Sequence, residues 1–193
     1  MRFKLSPQIF RVIQIIFCFT FVSACQGKQK DSKLEKTENT ITKPKVDLHT
    51  AVIKNDIESV KQHIAFGSDL NEKEPFGGSS PLISACVFGR TEIAKLLINA
   101  KADLNLQNND GSTALIAAAF FCRPEIVKML LDKNANKNIK NKYGQTAYDS
   151  VKAPFSEVKQ FYDMIGKSLE PMGLKLDYVY IEKTRPQIAQ TLK

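Results

Sequence analysis

The sequence predicts an all-α repeat solenoid: a stack of about four helix-turn-helix units joined by short hairpin loops. Three observations predict it. Ser80-Pro81-Leu82, Thr113-Ala114-Leu115 and Thr146-Ala147-Tyr148 recur at intervals of 33 residues. Glu92-Ile93-Ala94-Lys95-Leu96-Leu97 and Glu125-Ile126-Val127-Lys128-Met129-Leu130 recur at the same interval. Asp69-Leu70-Asn71, Asp103-Leu104-Asn105 and Asn136-Lys137-Asn138 follow at 34 and 33, the extra residue falling within 72–80. Independent positions holding one register exclude a composition artefact. A lone unit of this size cannot bury its apolar face, but stacked copies form a continuous core.

Along the chain, residues 1–24 come first and have three zones. Met1–Arg11 is short and basic, Val12–Val22 is an apolar run of eleven, and Ser23-Ala24 are small. That is the layout of a secretory signal. A permanent bilayer crossing needs ~20 apolar residues, so this run is a signal rather than an anchor. Val22-Ser23-Ala24-Cys25 resembles the lipobox of bacterial lipoproteins, with Val where Leu is commonest. The resemblance implies that Cys25 is acylated and becomes the mature N-terminus; the competing reading is an ordinary cleaved signal with an incidental cysteine. One acyl chain binds a membrane marginally, whereas two or more hold it. Gln26 rather than Asp after the cysteine favours, by the family's rules, an outer membrane facing the periplasm. Residues 25–45 then read as the acylated cysteine and a flexible tether, because Leu34 and Ile41 are their only large apolar residues.

Residues 46–166 carry the repeat, with approximate units 46–77, 78–110, 111–143 and 144–166. Each unit has a Gly-containing polar turn (Gly78, Gly111, Gly144) and then a short helix such as Pro81–Phe88, with Pro or Thr near its start. A break at Gly89-Arg90 precedes a second helix over Glu92–Asn99, whose Ile93, Leu96 and Leu97 share one face. Ala85, Ala118 and Ala119 are small where the first helix must approach its neighbours. The units resemble ankyrin repeats, whose signature is T-P-L-H-x-A in a unit of about 33 residues. Matches are Ser80–Ala85, Thr113–Ala118, Thr146–Asp149 and a degenerate first copy, Val46-Asp47-Leu48-His49-Thr50-Ala51. Only that first copy keeps the His, and Pro154 stands where the fourth pair of helices should join. The tail, 167–193, matches no repeat. Leu174, Leu176, Tyr178 and Tyr180 alternate with polar residues, which suggests a strand covering the open end; a disordered tail is the alternative.

Charge excludes one class of partner. The chain carries +8, but residues 47–166 hold as many acids as bases, so the excess lies in the tails. A nucleic-acid binder gathers its basic residues on one folded face, and this chain does not. Nor do the residues suggest catalysis, a cofactor or a metal. His49 and His63 are the two histidines, neither with a neighbouring ligand at metal spacing, and no G-x-x-x-x-G-K-[ST] phosphate loop occurs. For His49 the ankyrin resemblance implies a structural hydrogen bond to the turn. Cys86 and Cys122 remain after Cys25. Cys86 aligns with Ala119, one repeat along and one turn before Cys122. Repeats stack on the order of 10 Å apart, beyond the ~7 Å Cα separation a disulfide allows, so two unpaired thiols are expected.

What remains is surface. In the ankyrin family partners are held by the hairpin tips and the exposed end of the first helix. Carried over, that surface comprises Pro75, Phe76, Ser84, Val87, Phe88, Asn109, Asp110, Ala117, Phe120, Phe121, Lys142 and Tyr143. Phe88, Phe120 and Phe121 can instead pack between repeats, whereas Phe76 and Tyr143 lie on turns and have no such role. The sequence therefore reads as a lipid-anchored, non-catalytic module that binds a protein partner at the bacterial envelope. An inhibitor or immunity factor against an exported enzyme or toxin is the alternative. An enzyme or small-molecule receptor built around the tail is a third class, disfavoured because pockets need convergent polar groups.

Overall fold

The computed structural model describes residues 42–193. The expected signal, Cys25 and most of the expected tether lie outside the described residues. The first-row helices are α1 (Leu48–Lys54), α3 (Pro81–Phe88), α5 (Ala114–Phe120) and α7 (Asp149–Lys152). Each begins where a polar side chain takes up a free backbone N–H. Asp47 accepts from Thr50 N at 2.9 Å, Ser80 from Ile83 N at 3.3 Å and Thr113 from Ile116 N at 3.3 Å. At α7, Thr146 Oγ1 accepts from Asp149 N at 3.2 Å while Asp149 Oδ2 accepts from Thr146 N at 3.0 Å. The second row contains α2 (Ile57–Phe66), α4 (Thr91–Asn99) and α6 (Pro124–Asp132). These two rows are the predicted all-α solenoid.

Stacking is close because the contact positions are small: Ala85, Ala94, Ala118 and Ala119 are fully buried, beside Leu97 and Leu130. Loops are stitched from repeat to repeat as well. Asn71 Oδ1 accepts from Asp103 N at 2.8 Å, and Asn105 Oδ1 from Asn136 N at 2.9 Å. At the junction between rows one guanidinium per repeat reaches back to the preceding first-row helix. Arg90 Nη2 donates to Ile53 O at 2.7 Å, and Arg123 Nη2 to Val87 O at 3.3 Å. Each satisfies a carbonyl that the helix end leaves free.

The fourth repeat differs from the sequence expectation. α8 (Phe155–Leu169) leaves the stack, followed by a 3-10 turn (Glu170–Met172) and α9 (Tyr178–Leu192). It is α9 that packs beside α6 and α7. It runs parallel to α6, with Cys122 Sγ near Ile181 O at 3.7 Å at one end and Lys137 Nζ donating to Lys193 O at 3.2 Å at the other. Its sequence explains this. Arg185-Pro186-Gln187-Ile188-Ala189-Gln190-Thr191-Leu192 follows Arg123-Pro124-Glu125-Ile126-Val127-Lys128-Met129-Leu130 position by position. Ile188 and Leu192 are buried as Ile126 and Leu130 are. The fourth repeat therefore does not close at 166; it is split after Ala153, and its second helix lies within what reads as an unrelated tail.

The strand expectation is also corrected. Residues 174–177 are a short extended linker and 178–180 already belong to α9. No neighbouring strand exists among the described residues to complete a ladder, so the alternation serves only to bury Leu174 and to set Leu176 against Gly166. Pro186, inside α9, stands where Pro124 starts α6; the helix here simply begins two turns earlier.

Arg185 is the third member of the guanidinium series and closes it. Its Nη1 donates to Tyr162 Oη at 2.7 Å, and that hydroxyl donates to Phe120 O. Its Nη2 donates to Ala153 O at 3.0 Å, the carbonyl that a further repeat would otherwise cover. In Arg90, Arg123 and Arg185 alike, Nε is buried without a partner, which marks the shared pose. Arg185→Met is expected to cost ~2–4 kcal/mol and Tyr162→Phe ~1–3 kcal/mol, with the double variant losing clearly less than their sum. Urea unfolding of the four proteins measures this. Full additivity would mean that the hydroxyl relays nothing.

Candidate partner-binding site

The hairpin tips are built by one side chain each. Asn108 Oδ1 accepts from Asp110 N at 3.0 Å and Ser112 N at 2.8 Å; Asn141 Oδ1 accepts from Tyr143 N at 3.0 Å and Gln145 N at 2.9 Å. The first tip has one extra residue, and Glu74 takes the role with its longer side chain. It accepts from Phe76 N at 2.7 Å, Gly77 N at 2.8 Å and Ser79 N at 3.0 Å. Burial alone would raise the Glu74 carboxyl, but these three N–H groups outweigh it and hold it below the usual carboxylate range.

Successive tips are then hydrogen-bonded into a row. Asn109 N donates to Gly77 O at 2.8 Å, and Lys142 N to Asp110 O at 2.9 Å. Asn109 Nδ2 also donates to Phe76 O at 3.1 Å, fixing the backbone that carries the ring. Gly111 is required twice over. Its φ is +76°, and a Cβ there would lie 2.9 Å from Lys142 N. Along this row Phe76 is 93% and Tyr143 72% exposed, with Pro75, Asn109, Asp110 and Lys142 exposed beside them. A rigid ridge that holds two aromatic rings in water can bury large area against a partner at little entropic cost.

The first-helix residues expected on this surface fare differently. Ser84 and Ala117 are buried at 6% exposure and Phe121 at 7%, so they are corrected to packing positions between repeats. Val87 and Phe88 are half-buried, the Phe88 ring lying 6.0 Å from the Arg90 guanidinium. Phe120 is half-buried because the segment inserted into the fourth repeat covers it. Its ring stacks on Tyr162 at 4.5 Å, and Phe155 and Tyr178 extend the cluster. The expectation that Phe120 meets a partner is corrected for the same reason. The signal that could have found this was the match of 185–192 to 123–130, hidden by the long interruption.

The histidines join parts of the scaffold. His49 Nε2 donates to Glu72 O at 3.0 Å, tying α1 to the loop before the first tip. His63 lies between Val46 O at 2.7 Å and Ser68 Oγ at 2.8 Å. Among the described residues no three His, Cys, Asp or Glu side chains form a group able to hold a metal. Cys86 and Cys122 are both free and buried. Burial pushes the Cys86 thiol far up, and it raises Cys122 to about 11 despite the opposing pull of Arg185 and Arg123. Cys122 adopts φ +54° where the preceding repeat has Gly89 at +65°.

Residues 48–141 match the family profile described as "Ankyrin repeats (3 copies)". That stretch of the chain is therefore similar to ankyrin repeats. The match covers just under half of the 193 residues and stops before the split fourth repeat. Among curated proteins, the chain is similar to "Protein phosphatase 1 regulatory subunit 27" of Homo sapiens and of Mus musculus. Each is 38% identical over 64 residues, which is 33% of this chain and 41% of the relative. The chain thus spans less than half the length of these relatives. Ankyrin repeats imply protein–protein interaction.

Two outcomes check this geometry. Gly111→Ala is expected to destabilise by more than ~1 kcal/mol, because it adds a close approach to the positive-φ penalty, whereas Gly144→Ala should carry the φ penalty alone. At Gly144 nothing lies within 4 Å of an added Cβ. Thermal melts of both variants separate the two effects. In unreduced protein a maleimide should label Cys86 and Cys122 only after denaturation; labelling of neither would show that they are bonded.

Proposed function

We propose that this protein is a non-catalytic partner-binding module held at a bacterial envelope through an acylated Cys25. Its ankyrin tips capture a protein partner. The observation that carries the reading is the row of tips locked by Asn109 N–Gly77 O and Lys142 N–Asp110 O, which holds Phe76 and Tyr143 almost fully in water. Neither ring contributes to the core, so neither is explained by folding. Asp110 and Lys142 place both signs of charge beside them, which suits a mixed protein surface better than a uniformly charged polymer. Anchoring rests on Val22-Ser23-Ala24-Cys25 after a basic and an apolar zone, and the periplasmic face of an outer membrane on Gln26. The long polar tether would let the stack search near its membrane.

A second reading has the partner as an enzyme whose activity the stack modulates. It is favoured by the relatives, which are named as regulatory subunits of a phosphatase. An inhibitor or immunity role against an exported enzyme or toxin is one form of it. In both readings the same tips make the contact, and the identity of the captured protein separates them.

Phe76→Ala combined with Tyr143→Ala should reduce capture of the partner from membranes at least ~tenfold, since each buried aromatic anchor contributes ~2 kcal/mol or more. The melting temperature of the same protein, lacking residues 1–25, should stay within a degree or two; unfolding would show that the rings are structural. Cys25→Ala should abolish incorporation of labelled palmitate and release the protein from membranes in a bacterial host. Retained labelling would remove the anchoring proposal.

A further inference from the structure

The segment inserted into the fourth repeat is seated on Phe120 and tied to Arg185 through Tyr162, yet it carries five of the eight exposed large hydrophobic residues among the described residues. Phe161, Met164, Met172, Val179 and Tyr180 are 49, 62, 44, 78 and 41% exposed, and all lie between 161 and 180. On α8 only Tyr162 is fully buried, so the helix is held by one side and presents the other. Phe161 and Met164 are three residues apart and form neighbouring steps of one exposed stripe, edged by half-buried Val158 and Ile165. An exposed apolar stripe with polar ends is an interaction surface.

We propose that this stripe pairs with the same stripe of a second copy of the chain, the two α8 helices lying antiparallel. The charges at its ends select that occupant. Glu157 lies four residues before Phe161 and Lys167 three after Met164; both are exposed, and neither has an ion-pair partner among the described residues. A two-fold axis midway between Phe161 and Met164 sets each ring against the partner's Met164. It also places Glu157 of each copy beside Lys167 of the other. A parallel pair would put like charges together. The antiparallel arrangement also opposes the helix dipoles and is closed, so it stops at two copies. A membrane is a poorer occupant. Glu157 and Asp163 balance Lys159 and Lys167 on α8, and Lys159 is already committed to Asp163 at 2.8 Å, which leaves no basic surplus for anionic head groups.

The surface also sets the strength. A helix of 15 residues is ~22 Å long, so the pair buries well under the ~1,200 Å² of a standard stable interface. The dimer is therefore weak when free and is favoured when copies share one membrane, where the effective concentration is high. Nothing in this inference depends on what the hairpin tips bind.

The test uses two differently tagged full-length copies expressed together in a bacterial host, with one tag captured and the other measured. The wild-type pair should co-capture. Phe161→Glu in both copies should lower co-capture at least ~tenfold while Cys86 stays protected from maleimide, which shows that the stack is still folded. Glu157→Lys in both copies, or Lys167→Glu in both, should also lower it. A Glu157→Lys copy with a Lys167→Glu copy should restore it, since both cross-pairs are again of opposite charge. Co-capture that ignores Phe161→Glu, or a mixed pair that stays as low as the single variants, would overturn the proposal. Wild-type copies that never co-capture but are stripped from membranes by Phe161→Glu would assign the stripe to lipid instead.

Discussion

Each helical hairpin in this protein has two apolar flanks, and only another hairpin can cover them. That constraint governs the rest of the structure. It requires small residues at the contacts, hence the run of buried alanines, and it leaves the carbonyl at the end of each first-row helix next to the following repeat. A guanidinium from that repeat satisfies it. Arg90 and Arg123 do so directly, and Arg185 through the Tyr162 hydroxyl. A buried carbonyl without such a donor would cost more than the clamp gains, so the contact specifies register as much as it stabilises.

A row built this way must also end. Lys152 occupies the place held by Ala119 and Cys86 in earlier repeats, giving the last face a polar edge, and Arg185 spends its second arm on Ala153 O. End units of repeat arrays need such an outer face to stay soluble. The insertion enters where α7 ends, whereas the tips precede the first-row helices. The segment can therefore expose its own apolar side without competing for the tip row.

The tips owe their rigidity to hydrogen bonds that cross between repeats rather than to packing. The N–H groups of Phe76 and Tyr143 are engaged by Glu74 and Asn141, and the Phe76 C=O by Asn109, so little order remains to be gained when a partner arrives. That separates the rings on turns from the rings on helices. Phe120 and Phe121 look equally available in the sequence, but the inserted segment covers Phe120 and Phe121 is buried in the stack.

The two helical rows, the break at Gly89-Arg90, the buried alanines and the exposed rings at 76 and 143 were all legible in one chain of letters. They follow from short-range periodicity, and periodicity survives in sequence when each unit repeats the same local environment. The path of the chain after Ala153 was decided by tertiary structure. Residues 185–192 return to the slot beside α6 because the stack demands a second-row helix there, however far along the chain the next suitable one lies. A linear reading compares neighbours at a fixed interval and cannot see a vacancy filled from a distance. The burial of Phe120 and the exposure of Phe161 and Met164 follow from that filling, so they became visible only once the helices were packed.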